Sequence, residues 1–216
     1  MGYRTLLIEG TSEIVINKSR FIGYVKPISM ESEATAFIEE IKKKHWDARH
    51  HVPVYVLGEK YTTQRYSDDG EPSGTAGVPI LEMVKKEGIT NVAIVIVRYF
   101  GGIKLGTGGL VRAYSQSAKD TLNSAGIVDV ECYDLLSIKC EYHNHGKLQN
   151  YIMNDYYMID DTQFAEDVTM LVYCKPLDRE SFTKEIMEIT NGKAVVAIIE
   201  SNWLAVNDKE YEVVRN

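Results

Sequence analysis

The chain has 216 residues, a net charge of −7, 44% apolar and 25% charged residues. That is the balance of a soluble globular protein with room for two cores of about 100 residues each. It excludes a basic footprint over the whole protein. It also excludes a membrane-spanning helix, since no apolar stretch approaches the roughly 20 residues that one needs. The longest apolar run, residues 92–97, stops at Arg98. The start, MGYRTLLIEG, lacks the basic and then apolar regions of a secretory signal, and Leu6 stands where a myristoylation motif wants Ser or Thr. A cytoplasmic protein without a membrane partner is expected. Cys132, Cys140 and Cys174 are odd in number and lack metal or redox spacing, so they read as reduced thiols in strands. The charge is divided unevenly. Residues 1–126 hold 16 Lys and Arg against 14 Asp and Glu, a balance of +2, and residues 127–216 hold 8 against 17, a balance of −9.

The pattern predicts a hairpin of residues 5–8 with 13–28, then a helix on Ala34, Phe37, Ile38 and Ile41 with Ser29 as its cap and lysines 42–44 in its last turn. Strands are predicted at HHVPVYVL and at residues 62–66. The loop SDDGEPSGTAGVP (67–79) should open a helix capped by Thr75 and stopped at Gly88. VAIVIV, without alternation, is the pattern of a central strand buried on both faces. After RYFGGIKLGTGG comes a helix with Leu110, Tyr114, Ala118 and Leu122 on one stripe, Thr107 as cap and Gly126 as stop. From residue 128 the order becomes β-α-β-β-α-β, the split ferredoxin-like arrangement, with Asp178 capping its second helix. The domain boundary should fall at residues 126–131.

Two stretches concentrate the chemistry. In RYFGGIKLGTGGLVR (98–112), Gly101, Gly102, Gly106, Gly108 and Gly109 lie between a buried strand and a helix start, with Arg98, Lys104 and Arg112 nearby. Glycines let amides approach a ligand, and a helix N-terminus attracts anions. Neither standard nucleotide loop is matched, so ATP or NAD is not implied. The plainer alternative is tight turns and close packing. In the other stretch, Asp68, Asp69 and Glu71 surround Gly70, followed by Ser73 and Thr75. These carboxylates could hold Mg²⁺, could grip an arginine, or could bond their own turn. His50 and His51 are adjacent on a strand and should face opposite ways. A Ser67, His51 and Asp69 hydrolytic set can be drawn, but no G-x-S-x-G elbow accompanies it. His143 and His145 fall near a helix start.

The runs SRFIG (19–23), SDDGEPSGTAGVPIL (67–81) and VRYFGGIKLGTGGLVRAYS (97–115) resemble the hallmark of the IMPACT family. The acidic second half is similar to the C-terminal domain of bacterial members, and HHVPVY departs from the His-Asn-Cys-type run of many relatives. The resemblance implies an α+β protein of two domains. Residues 1–127 would be similar to the second domain of ribosomal protein five of the small subunit. Residues 132–205 would be ferredoxin-like, similar to the last domain of elongation factor G, and residues 206–216 would be a tail. Eukaryotic relatives are translational regulators that compete for the activator of a starvation-sensing kinase. For bacterial relatives, nucleic-acid or ribosome binding is the inference from fold.

The leading expectation is therefore a translation-associated regulatory binding protein, without catalytic residues and without a resident metal or cofactor. RNA phosphate or a ribosome-associated partner would meet Arg98, Gly101, Gly102, Lys104, Gly106, Thr107, Gly108, Gly109 and Arg112. Tyr99 and Phe100 would be core or would stack on a base. One alternative is a protein-binding regulator that makes no nucleic-acid contact. Another is an enzyme acting on a phosphorylated or nucleotide substrate, with Asp68, Asp69 and Glu71 on Mg²⁺.

Overall fold

The computed structural model describes residues 2–207 and 210–213, and they separate between Val130 and Glu131 into two compact units. The first unit contains β1 (Tyr3–Leu6), β2 (Gly10–Ile16), β3 (Ser19–Pro27), α1 (Glu31–Lys44), β4 (His50–Leu57), β5 (Thr63–Tyr66), α2 (Gly77–Lys86), β6 (Val92–Tyr99) and α3 (Gly106–Ser124). The next strand, β7 (Ile127–Cys140), begins in this unit and runs on into the second.

Five strands form an antiparallel sheet in the order β2-β3-β6-β4-β5. Every residue from Val92 through Arg98 is buried, because both faces of β6 are covered. Val92, Ile94 and Ile96 join Ile80, Leu110, Tyr114 and Leu122 of α2 and α3 in one core. Ala93, Val95 and Val97 join Phe37 and Ile41 of α1 in another. The predicted stripe on α3 is the buried face: Leu110, Tyr114, Ala118 and Leu122 are all inside.

The predicted hairpin is corrected. Residues 13–28 are two strands, folded back at Asn17 and Lys18, whose φ values of 47° and 64° make the two-residue turn that suits strand twist. β1 pairs instead with the start of β7, Tyr3 opposite Val130. Alternation in so short a strand marks its faces and not its distant partner.

The second unit contains the rest of β7, then α4 (Tyr142–Asn154), β8 (Met158–Phe164), β9 (Val168–Cys174), α5 (Arg179–Ile189), β10 (Val195–Asn207) and β11 (Glu210–Val213). Its order β10-β7-β9-β8 is the 4-1-3-2 order of a ferredoxin-like sheet, with β11 added outside β10. Leu136, Ile138, Leu148, Ile152, Phe182 and Ile186 are central to its core. The segment expected as a tail, 206–216, carries the end of β10 and β11, and its residues 208–209 and 214–216 lie outside the described residues. No helix among the described residues is long and apolar enough to cross a membrane.

Candidate functional site

The carboxylate loop joins β5 to α2, and its three acids go three ways. Asp68 accepts from the amides of Gly74 (2.8 Å), Ala76 (3.1 Å) and Gly77 (2.8 Å), so it caps α2 from eight and nine residues upstream. The expected cap, Thr75, is buried and donates its hydroxyl to the Pro72 carbonyl. Asp69 accepts the His51 amide (2.6 Å) on one carboxylate oxygen, and its own carbonyl accepts from His50 Nδ1 (2.8 Å). Glu71 turns inward. Its Oε1 receives Arg98 Nη1 at 2.6 Å and the Tyr114 hydroxyl at 2.8 Å, with His50 Nε2 at 3.9 Å. Gly70 and Ser73 are exposed on the loop between them. Three carboxylates directed at a helix end, a strand amide and a guanidinium do not converge on a shared cation. Among the described residues no group of three or more His, Cys, Asp and Glu is placed to hold one.

Arg98 is the main correction to the predicted anion site. It lies at the end of β6, opposite Phe21 of β3 and His50 of β4, and it is only 5% exposed. Phe21 and Phe100 cover its guanidinium at 5.4 and 5.6 Å from their ring centres. Its Nη2 donates to Ser19 Oγ (3.4 Å), which also receives the Gly101 amide (3.2 Å). Arg98 is engaged by Glu71 and is not presented to a phosphate. Tyr114 packs edge-on against Phe21 with centroids 5.2 Å apart. Burial, and then the Glu71 charge, push its phenol far above the usual range, so it stays a neutral donor. Ser19, Phe21, Glu71, Arg98, Gly101 and Tyr114 come from all three motif runs, and they meet in this internal latch.

Gly101 belongs to the latch as well. A Cβ there would lie 2.0 Å from the Lys18 carbonyl carbon, so only glycine permits the approach to the β2–β3 turn. Beyond it the chain emerges. Gly102, Lys104, Gly106, Thr107, Gly108 and Arg112 are exposed, and Gly109 is half-buried. The helix starts at Gly106, one residue before the predicted cap Thr107, and Leu105 at the cap position supplies no side-chain bond. The first amides of α3 therefore have neither an intrahelical nor a capping partner. Lys104 and Arg112 have no carboxylate partner among the described residues. A hollow of about 320 Å³ beside this start is lined by Leu105 at the cap position, by Gly109 and Arg112 of the helix, and by Ile16 and Asn17.

The drawn hydrolytic set is not assembled. His51 Nε2 donates to the His45 carbonyl (2.8 Å), and Ser67 Oγ accepts the Asp69 amide (3.1 Å). Sequence reasoning missed the network on the α1 side of the sheet. There the Tyr24 hydroxyl donates to His45 Nε2 (2.7 Å), His45 Nδ1 donates to the Tyr99 oxygen (2.9 Å), and Tyr99 donates to Asp47 (2.9 Å). Burial, with Lys44 and His51 nearby, lowers the pKa of His45. No spacing rule links residues 24, 45 and 99, because only the pairing of β3 with β6 and the end of α1 bring them together.

Two family models match the chain, the Impact N-terminal domain over residues 17–122 and a Domain of unknown function (DUF1949) over residues 138–193. Over 208 residues the chain is 41% identical to the IMPACT family member YvyE of Bacillus subtilis (strain 168), covering 95% of this chain and 96% of that protein. It is 32% identical to the IMPACT family member YigZ of Escherichia coli (strain K12), covering 86% and 92%. A solved structure described only as a hypothetical protein superimposes with a TM-score of 0.57 at 30% identity, covering 92% of this chain and 98% of the other. The chain belongs to the IMPACT family.

Proposed function

We propose that this chain is a translation-associated regulatory binding protein that grips RNA phosphate at the start of α3 and performs no catalysis of its own. The observation that carries this reading is the exposed, uncapped helix start with Lys104 and Arg112 beside it. Unpaired amides and the positive end of the helix dipole favour an anion there. Gly108 adds to this. It weakens a helix by about 1 kcal/mol relative to alanine, yet a Cβ at that position would meet nothing within 4 Å. A backbone kept bare for the approach of a phosphate accounts for it. The link to translation follows from the resemblance to eukaryotic relatives that regulate it.

The test is fluorescence anisotropy with a labelled single-stranded RNA at several salt concentrations. Each phosphate contact should contribute about −0.7 to the slope of log K against log salt, and Lys104→Ala with Arg112→Ala should flatten that slope by about 1–2 units. Absent binding at low salt, a flat slope or an unaffected double variant overturns the reading. A protein-binding regulator is the second reading, favoured by the balance of −9 in residues 127–216, which repels RNA. The pairing of Glu71 with Arg98 and the divergence of Asp68, Asp69 and Glu71 weigh against the magnesium enzyme.

A further inference from the structure

Helix α4 ends against the preference of its sequence. The Tyr157 amide returns to the Ile152 carbonyl (3.0 Å) and the Tyr156 amide to Met153 (3.4 Å). These are the bonds of a Schellman turn, whose intervening residue must be left-handed and is most often glycine. Here it is Tyr156, with φ 60°. Tyr61, the other tyrosine at positive φ among the described residues (53°), packs against the first unit's core. Tyr156 is 93% exposed and has no such compensation. The two turn hydrogen bonds offset the left-handed backbone, but they ask nothing of the ring, which is left exposed beside the turn and open to a partner.

A pocket of about 280 Å³ lies beside this turn. Four tyrosines, Tyr133, Tyr156, Tyr157 and Tyr173, line it together with Asp155 and Asp178. The volume falls just under the roughly 300–1,000 Å³ of sites for drug-sized ligands, so it suits one side chain better than a cofactor. Lys175, also in the lining, is already held by Glu131 and lies 5.7 Å over the Tyr133 ring. Neither Asp155 nor Asp178 has a cation partner among the described residues. Burial raises the pKa of the Tyr133, Tyr157 and Tyr173 phenols, so these rings stay neutral at physiological pH. Aromatic faces beside unanswered carboxylates attract a cation. A guanidinium, flat and able to bond a carboxylate through two N–H groups, fits such a lining better than an ammonium.

We propose that the pocket at the end of α4 binds an arginine side chain of a basic peptide, stacked on Tyr156 and answered in charge by Asp155 and Asp178. The site uses only residues of the second unit and is independent of the anion reading at α3.

The experiment titrates the full chain with a labelled arginine-rich peptide and with the same peptide carrying neutral citrulline at each arginine, followed by anisotropy. The arginine peptide should bind, and the citrulline peptide should bind at least about tenfold more weakly. Tyr156→Gly should weaken arginine binding by about tenfold or more and at the same time raise the thermal midpoint, since glycine is at ease at this φ. Tyr156→Asn, also tolerated in the left-handed region, should weaken binding as well while raising the midpoint less than glycine does. Asp155→Asn with Asp178→Asn should weaken it as well. Equal binding of both peptides, or binding indifferent to Tyr156→Gly, overturns the proposal. A lowered midpoint for Tyr156→Gly also overturns it, because it would give the ring a structural role. RNA binding that Tyr156→Gly abolishes would instead assign the ring to base stacking.

Discussion

Glu71→Ala tests whether the latch holds the first unit together. The Arg98 side chain is 6% exposed and that of Glu71 4%, and a single oxygen, Oε1, accepts both Nη1 and the Tyr114 hydroxyl. Truncating Glu71 strands a guanidinium that already has one buried nitrogen, Nε, without a partner. Removing one member of a buried pair costs about 3–5 kcal/mol, a large part of the roughly 5–15 kcal/mol that holds a domain. In urea unfolding followed by circular dichroism, a slope near 2 kcal/mol per M turns that loss into a midpoint lower by about 2 M. The slope itself should not change. Glu71→Gln keeps an acceptor but removes the charge, and it should cost about 1.5–3 kcal/mol. Glu71→Leu combined with Arg98→Met and Tyr114→Phe should recover most of the loss, because an apolar replacement leaves nothing buried and unpaired. A loss under about 1 kcal/mol for Glu71→Ala, or no recovery in the triple variant, refutes the latch.

Asp68→Ala removes the acceptor of three amides at the start of α2 and should cost about 1–2 kcal/mol in the same assay. Gly101→Ala should prevent folding or cost several kcal/mol, since its Cβ meets backbone at 2.0 Å; Gly108→Ala should stabilise by up to about 1 kcal/mol while weakening RNA binding. Stability should fall as pH rises above about 10. Tyr114 has a raised pKa in the folded state, so its contribution is complete below the unfolded value and declines as the unfolded chain alone loses the proton. Tyr114→Phe should reduce that alkaline slope by up to about 1.4 kcal/mol per pH unit.

Periodicity made the helices, the central strand and the ferredoxin-like order of the second unit readable, because burial on one or both faces writes directly into residue spacing. VAIVIV is the clearest case, with its odd and even residues in different cores. The caps were less legible. Proximity alone suggests Thr75, Thr107 and Ser29, whereas Asp68 reaches its helix through the folded loop, α3 has no side-chain cap at all, and Asp178 sits at the start of α5 without a side-chain cap bond. The partner of β1 and the link from His45 to Tyr99 depend on contacts across more than 50 residues, and that from Tyr24 to His45 spans 21, distances about which local pattern is silent. The strain at Tyr156 was invisible for a different reason, since a tyrosine after a helix carries no mark of its φ.

The third motif run serves two purposes that its residue types cannot separate. Arginine and glycine at positions 98 and 101 look the same in sequence as arginine and glycine at positions 112 and 108, yet the first pair is buried or sterically confined and the second pair faces solvent. The division falls at Gly102, where the chain leaves the end of β6. The latch fixes β3, β6, α3 and the carboxylate loop to one another through Ser19, Arg98, Tyr114 and Glu71. The same contacts hold the start of α3 in place with its amides outward. Loosening the latch without unfolding the unit, as Glu71→Gln should, therefore also blurs the geometry at Lys104 and residues 106–109. RNA affinity and stability should fall together in that variant, whereas Lys104→Ala with Arg112→Ala should lower affinity alone.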